Sequence, residues 1–184
     1  MPEIPDLSHW LPPLGPETSR PVPPMTLRHP TEADVATLDD RLQDWRENRA
    51  DEFPGRVWFR HFASTSWLAE SDPGGRPLGL LLGFTSPDRA GEGVIQALAV
   101  DPAYRRKGIG RTLLGRFEAA SQAAGAVRAT AICRPDDRTS MAFYAAMGYE
   151  IDTGPGTRSL YGVKAYPDWD GRGEDRVLME HRLE

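Results

Sequence analysis

Around position 105 a strand has to become a helix within a few residues, and the residues that make the change are rich in positive charge. Leu98-Ala99-Val100 is apolar and reads as the end of a strand. Ile109, Leu113, Leu114 and Phe117 then repeat at helical spacing. Between and among them lie Arg105, Arg106, Lys107, Gly108, Gly110, Arg111 and Thr112. The first N–H groups of a helix have no intrahelical acceptor, and the aligned peptide dipoles favour negative charge there. Gly108 and Gly110 let a ligand approach that backbone, and the cations add attraction. The segment therefore reads as a pocket for phosphate, and for a pyrophosphate in particular. The competing reading is a solvated basic loop ahead of an ordinary amphipathic helix. Placement of the glycine pair at the junction favours the anion pocket.

The rest of the chain gives this basic loop its contrast. Net charge is -5 over 184 residues, which argues against general nucleic-acid binding and makes the loop a local exception on an acidic body. The length suits one domain. No apolar run approaches the ~20 residues of a membrane span, and no basic segment followed by an apolar block opens the chain. Cys133 is the single cysteine, so no disulfide framework exists and a reducing cytoplasm is expected. His9, His29, His61 and His181 are too dispersed to suggest a metal site.

Two zones are expected, an arm over 1–24 and a domain over 25–184. Eight prolines between 2 and 24 forbid a regular helix in the arm, where Trp10, Leu11 and Leu14 are the apolar anchors, and Met25 is a candidate initiation site. The pattern then predicts a strand at Thr26–Arg28 and a helix to Asp44, capped by Thr31 with Asp34 at its third position. An irregular helical region holds Trp45, Phe53, Trp58, Phe59 and Phe62. Strands at Ser66–Ser71 and Pro77–Thr85 flank the turn Asp72-Pro73-Gly74-Gly75. A strand at Gly93–Val100, a helix at Gly110–Ala124, a strand at Val127–Cys133 and a helix at Arg138–Met147 follow. Tyr149–Thr153 and Arg176–Leu183 are the last strands. Hairpin strands first and a strand–helix–strand–helix–strand passage afterwards predict a mixed α/β domain.

Two motifs in this order, Arg105-x-x-Gly108-x-Gly110 after Leu98-Ala99-Val100 and Phe143-Tyr144-x-x-x-Gly148-Tyr149, make residues 25–184 resemble the GNAT superfamily of acyl-CoA N-acyltransferases. The opening Thr26-Leu27-Arg28-x-Pro30-Thr31-x-Ala33-Asp34 is similar to that family's first strand and helix. The resemblance implies a mostly antiparallel sheet of about six to seven strands, with splayed central strands and about four flanking helices. It implies acetyl-CoA as acyl donor, its pantetheine lying along Leu98, Ala99 and Val100. Arg105, Arg106, Lys107, Gly108, Ile109, Gly110, Arg111 and Thr112 would hold the pyrophosphate. A bulge near Leu98 or Ala99 would free a backbone donor for the thioester carbonyl. Tyr144, matching the family's tyrosine, would protonate the departing thiolate after direct attack by a primary amine. That amine would belong to a small molecule, a peptide or a protein. A non-catalytic acyl-CoA-binding or regulatory module on the same scaffold is the alternative.

Several residues keep that alternative open. No general base is evident: Gln96 cannot act as one, and Glu70 and Glu92 read as surface carboxylates. Asp137 stands where the family often has asparagine, and it reads as a helix cap rather than a cofactor contact. Cys133 reads as a buried structural thiol. The acceptor pocket of the fold would draw on Trp45, Trp58, Phe59 and Phe62 and on Asp168, Asp170, Glu174 and Asp175 of the last long loop, against a reading of these as core aromatics and a solvated acidic loop. The acid spacing in that loop is too short for a calcium site, and the glycine loop lacks the Gly-Lys-Ser/Thr of a nucleotide P-loop. A homodimer is compatible with the sequence, which does not decide it.

Overall fold

The computed structural model describes residues 21–45 and 55–184. Trp10, Leu11, Leu14 and Phe53 lie outside the described residues. The elements run β1 (Met25–Arg28), α1 (Val35–Trp45), α2 (Gly55–His61), β2 (Trp67–Ser71), β3 (Pro77–Thr85), β4 (Glu92–Val100), α3 (Ile109–Ala123), β5 (Arg128–Cys133), α4 (Arg138–Ala146), β6 (Glu150–Ile151), β7 (Arg158–Leu160), β8 (Val163–Ala165) and β9 (Val177–Arg182). Seven strands form one sheet in the order β1-β2-β3-β4-β5-β9-β6, and β7 and β8 form a separate ribbon. Among the described residues only the β4–β5 pair is parallel; its neighbours pair antiparallel, so the mixed, mostly antiparallel sheet expected from sequence is present.

Local chemistry sets the first elements. The amide and hydroxyl of Thr31 both donate to the Asp34 carboxylate, at 2.7 and 3.0 Å, closing the expected capping box in a short 3-10 turn ahead of α1. Arg28 of β1 donates to both oxygens of Asp34 at 2.8 and 2.7 Å and to Glu70 of β2 at 3.0 Å. One guanidinium thus fixes the helix start to two strands.

Each face of the sheet carries its own core. Leu38, Leu42 and Trp45 of α1 and Phe59 of α2 pack on Leu68, Leu80, Leu82 and Ala99. Ile109, Leu113, Leu114 and Phe117 of α3 and Met141, Ala142 and Tyr144 of α4 cover Leu81, Ile95, Ala129, Ala131 and Met179 on the other face. Burial of each leucine, isoleucine, phenylalanine or methionine among them contributes ~1.5–3 kcal/mol. Helix α3 packs over three glycines of the sheet, where a side chain would not fit without a shift. A Cβ at Gly79 would stand 3.0 Å from Ile109, one at Gly93 2.9 Å from Ser121, and one at Gly83 would clash with the edge of the Phe117 ring.

The central strands splay. Strands β4 and β5 pair from Glu92 opposite Arg128 to Ile95 opposite Ala131, and no further. Strand β5 stays with β9 as far as Cys133, while β4 stays with β3 as far as Val100. The fork opens where Gln96 is inserted as an extra residue against β3, between the pairs Ile95–Gly83 and Ala97–Leu82. That bulge stands two residues before Leu98 and three before Ala99, the positions near which it is expected. Its consequence is an exchange of faces: Ile95 packs beneath α3, yet Ala97 and Ala99 join the α1 side and Leu98 and Val100 the α3 side.

The ribbon β7–β8 was not expected. Its turn holds Tyr161 at φ 52 and Gly162 at φ 83, and a tyrosine in the left-handed region gives none of the usual Asn-Gly signal. Residues 55–61 form a regular helix where an irregular region was expected, and β6 is shorter than Tyr149–Thr153.

Candidate active site

Three elements make up the candidate site. The first is the free edge of β4: from Gln96 to Val100 its β5 side has no partner strand among the described residues. Unpaired backbone groups on such an edge are a template for another extended chain.

The second element is the start of α3. Gly108 is its N-cap, held at φ 87, and the helical ladder begins with Thr112 N–H donating to Gly108 O at 2.9 Å. The amides of Gly108, Ile109, Gly110 and Arg111 therefore precede the first intrahelical bond. Arg106 is also left-handed, at φ 59. Left-handed positions in such a turn direct neighbouring N–H groups into one concavity, the geometry that receives anions. Arg106, Lys107 and Arg111 are exposed around it. The side chain of Ile109 is 1% exposed and belongs to the core, which leaves its amide as the group it can offer a ligand. Thr112 turns its hydroxyl back onto Gly108 O at 3.0 Å. Arg105 takes a different path from its neighbours: its guanidinium donates to Val100 O at 3.3 Å and to Trp45 O at 2.5 Å, joining the loop to the ends of β4 and α1. Gly110 approaches α4, where an added Cβ would meet the Phe143 ring at 3.3 Å.

The third element is Tyr144 on α4, 4% exposed, with its ring 5.2 Å from Phe143 and 5.3 Å from Tyr149. Burial pushes its phenol well above the ordinary value, and the Cys133 thiol and the Asp137 carboxylate push it further the same way. The hydroxyl accordingly carries its proton at neutral pH. Asp137 caps the helix as expected, accepting from Ser140 N at 3.0 Å and Ser140 Oγ at 2.8 Å. Cys133 is buried at the end of β5.

The carboxylates considered as bases are engaged elsewhere; Glu92 is not a surface group, and Glu70 is half-buried. Glu92 is buried, accepting from Thr130 Oγ1 at 2.8 Å and Arg128 at 3.0 Å, at the closed end of the fork. Glu70 belongs to the Arg28 cluster. The expected acceptor residues divide likewise. Trp45 and Phe59 are core aromatics. Trp58 donates its indole N–H to Ser66 Oγ at 3.0 Å and packs against Phe62 and Phe84. In the last long loop Asp168 accepts from Gly173 N at 2.6 Å, Asp175 accepts from Asp168 N at 2.9 Å, and Asp170 and Glu174 flank Arg176 at 2.7 and 3.0 Å. These acids close the loop on itself.

A family model described as the acetyltransferase (GNAT) family matches residues 33–149, which contain the fork, the α3 loop and α4. The chain belongs to the GNAT acetyltransferase family. Among curated proteins, this GNAT chain is similar to the L-2,4-diaminobutyric acid acetyltransferase of Streptomyces anulatus, 27% identical over 145 residues that span 73% of this chain and 81% of the relative. Among solved structures it is similar to Ard1 from Thermoplasma volcanium, with a TM-score of 0.67 at 17% identity over 87% of this chain and 98% of that one. It is also similar to the diaminobutyrate acetyltransferase EctA from Paenibacillus lautus, solved with L-2,4-diaminobutyric acid and coenzyme A, with a TM-score of 0.64 at 17% identity over 84% of this chain and 93% of that one. Both structures share the fold. No helix among the described residues is long and apolar enough to cross a membrane.

Proposed function

We propose that this GNAT acetyltransferase, whose acyl donor is acetyl-CoA, acetylates a primary amine of a small amino acid bearing a second amine, by direct attack in a ternary complex. The observation that carries the reading is the fork: β4 keeps an edge without a partner strand from Gln96 to Val100, the amides that open α3 follow it in sequence, and buried Tyr144 belongs to the same core cluster as Leu98 and Val100. The curated diaminobutyrate acetyltransferase supports the acceptor class.

Each residue then has a distinct task. The β4 edge at Leu98, Ala99 and Val100 hydrogen-bonds the pantetheine as a guest strand would be bonded. The amides of Gly108, Ile109, Gly110 and Arg111 take the pyrophosphate, and Arg106, Lys107 and Arg111 supply charge. Arg105 supports the loop from behind, and Thr112 finishes the helix start. Tyr144 holds a proton at its hydroxyl and gives it to the departing sulfur. The attacking amine must be neutral although a lysine-like amine has a pKa near ~10.4. Glu70 and Glu92 are committed to ion pairs, so neither is assigned as the base that takes that proton. Replacing Tyr144 with Phe lowers kcat about a hundredfold and leaves the Kd for CoA within about twofold. Unchanged kcat removes the general-acid role.

A further inference from the structure

The spacing between Tyr144 and the second aromatic of its motif has a physical meaning. Helix α4 ends at Ala146 with Met147 as its C-cap, and Gly148 takes φ 90. Gly148 N–H donates to Ala145 O and Tyr149 N–H to Tyr144 O, both at 3.0 Å. This is a Schellman closure, in which the residue after the glycine returns to the residue one turn inside the helix. Tyr149 therefore lands on Tyr144 by main-chain bonding as well as by ring contact at 5.3 Å. The Tyr149 ring also stacks on His181 of β9, at 5.1 Å and 27°, whose Nδ1–H donates to Gly148 O at 3.0 Å. Ring contacts alone would be met by a phenylalanine. The hydroxyl of Tyr149 adds a bond of a different kind, donating to Glu118 Oε1 of α3 at 2.9 Å across 31 residues of sequence. Glu118 lies on the helix whose first turn faces the proposed pyrophosphate. A single buried hydroxyl thus ties the helix that bears the anion-binding loop to the ring that packs on Tyr144.

We propose that Glu118 and Tyr149 are positioning residues for acyl transfer: their hydrogen bond fixes the placement of Tyr144 relative to α3, and so the reach of the Tyr144 hydroxyl toward the departing sulfur. This rests on the general-acid reading of Tyr144. Small misplacements of a reacting group cost rate far more than binding.

The test is a double-mutant cycle read as kcat and KM. Glu118→Ala lowers kcat about five- to tenfold while KM for acetyl-CoA stays within about twofold. Glu118→Gln, which keeps an acceptor for the Tyr149 hydroxyl, retains kcat to within about twofold. Tyr149→Phe, which keeps the ring and its packing, reproduces the Glu118→Ala loss and serves if the alanine variant folds poorly. In a Tyr144→Phe background Glu118→Ala brings no further loss of kcat. Equal losses in both backgrounds, an unchanged kcat in Glu118→Ala, or a Glu118→Gln variant as impaired as Glu118→Ala each overturn the proposal. Tyr144→Phe measured alone judges the general-acid reading separately, because that comparison leaves Glu118 and Tyr149 intact.

Discussion

Lys107 and Arg105 carry the same charge in the same loop and do different work. Arg105 turns inward, where its guanidinium bridges the carbonyls of Val100 and Trp45. Lys107 stays exposed beside the N-cap of α3. A solvated cation there attracts an anion through screened Coulomb forces, whereas loss of a loop brace shifts the amides themselves. Lys107→Ala is therefore expected to raise KM for acetyl-CoA about three- to tenfold with kcat unchanged, and the gap from the parent should narrow as salt is raised. A kcat defect that ignores salt would place Lys107 in the support of the loop instead. Gly108 and Gly110 divide in a similar way. The first supplies a left-handed N-cap with open space around it, and the second admits Phe143 of α4.

At the scale of elements, the junction of β1, α1 and β2 turns on one ion-pair cluster. Hydrogen bonding to Arg28 is the main cause that holds the Asp34 carboxyl below its usual range. A carboxyl with a depressed folded pKa contributes stability above its unfolded value, near ~3.9, and loses that contribution as pH falls through the folded one. Asp34→Asn should cost about 1 kcal/mol of unfolding free energy at neutral pH, the exposed share of the pair being screened. Urea titrations at stepwise lower pH should show the gap closing below about pH 4. A gap independent of pH would mean that Asp34 acts through its capping geometry alone. Signals of this local kind are what made the elements legible in advance: Thr31 with Asp34 at the start of a helix, Gly125 and Gly148 after the ends of two others. Features set by a distant partner were not legible. The bulge at Gln96 depends on register with β3, the path of Arg105 on the end of α1, and the loss of Trp45 and Phe59 to the core on packing between layers. Glu92 looked like a surface carboxylate because nothing near it in sequence announces Arg128 and Thr130 on the neighbouring strand.

Across the whole molecule, the sheet is one continuous body at the base and forked at the top, so a ligand seated in the fork replaces the missing pairing between β4 and β5. Ligand that binds only the folded state stabilises it by RT ln(1 + [L]/Kd), ~2.7 kcal/mol at a hundred times Kd. For a chain of 184 residues this corresponds to a rise in Tm of about 5–10 °C. Acetyl-CoA should produce that rise, and acetyl phosphate, which lacks the pantetheine strand, should not. Equal shifts with both would confine binding to the α3 loop. The central claim, that the fork is a site of acetyl transfer to a small amine, is tested most directly by CoA thiol release from acetyl-CoA across a panel of primary amines that includes L-2,4-diaminobutyrate, other diamino acids, polyamines and peptides. The account predicts saturable turnover, highest on a small diamino acid and abolished without an amine; acetyl-CoA binding with no turnover on any acceptor would contradict it.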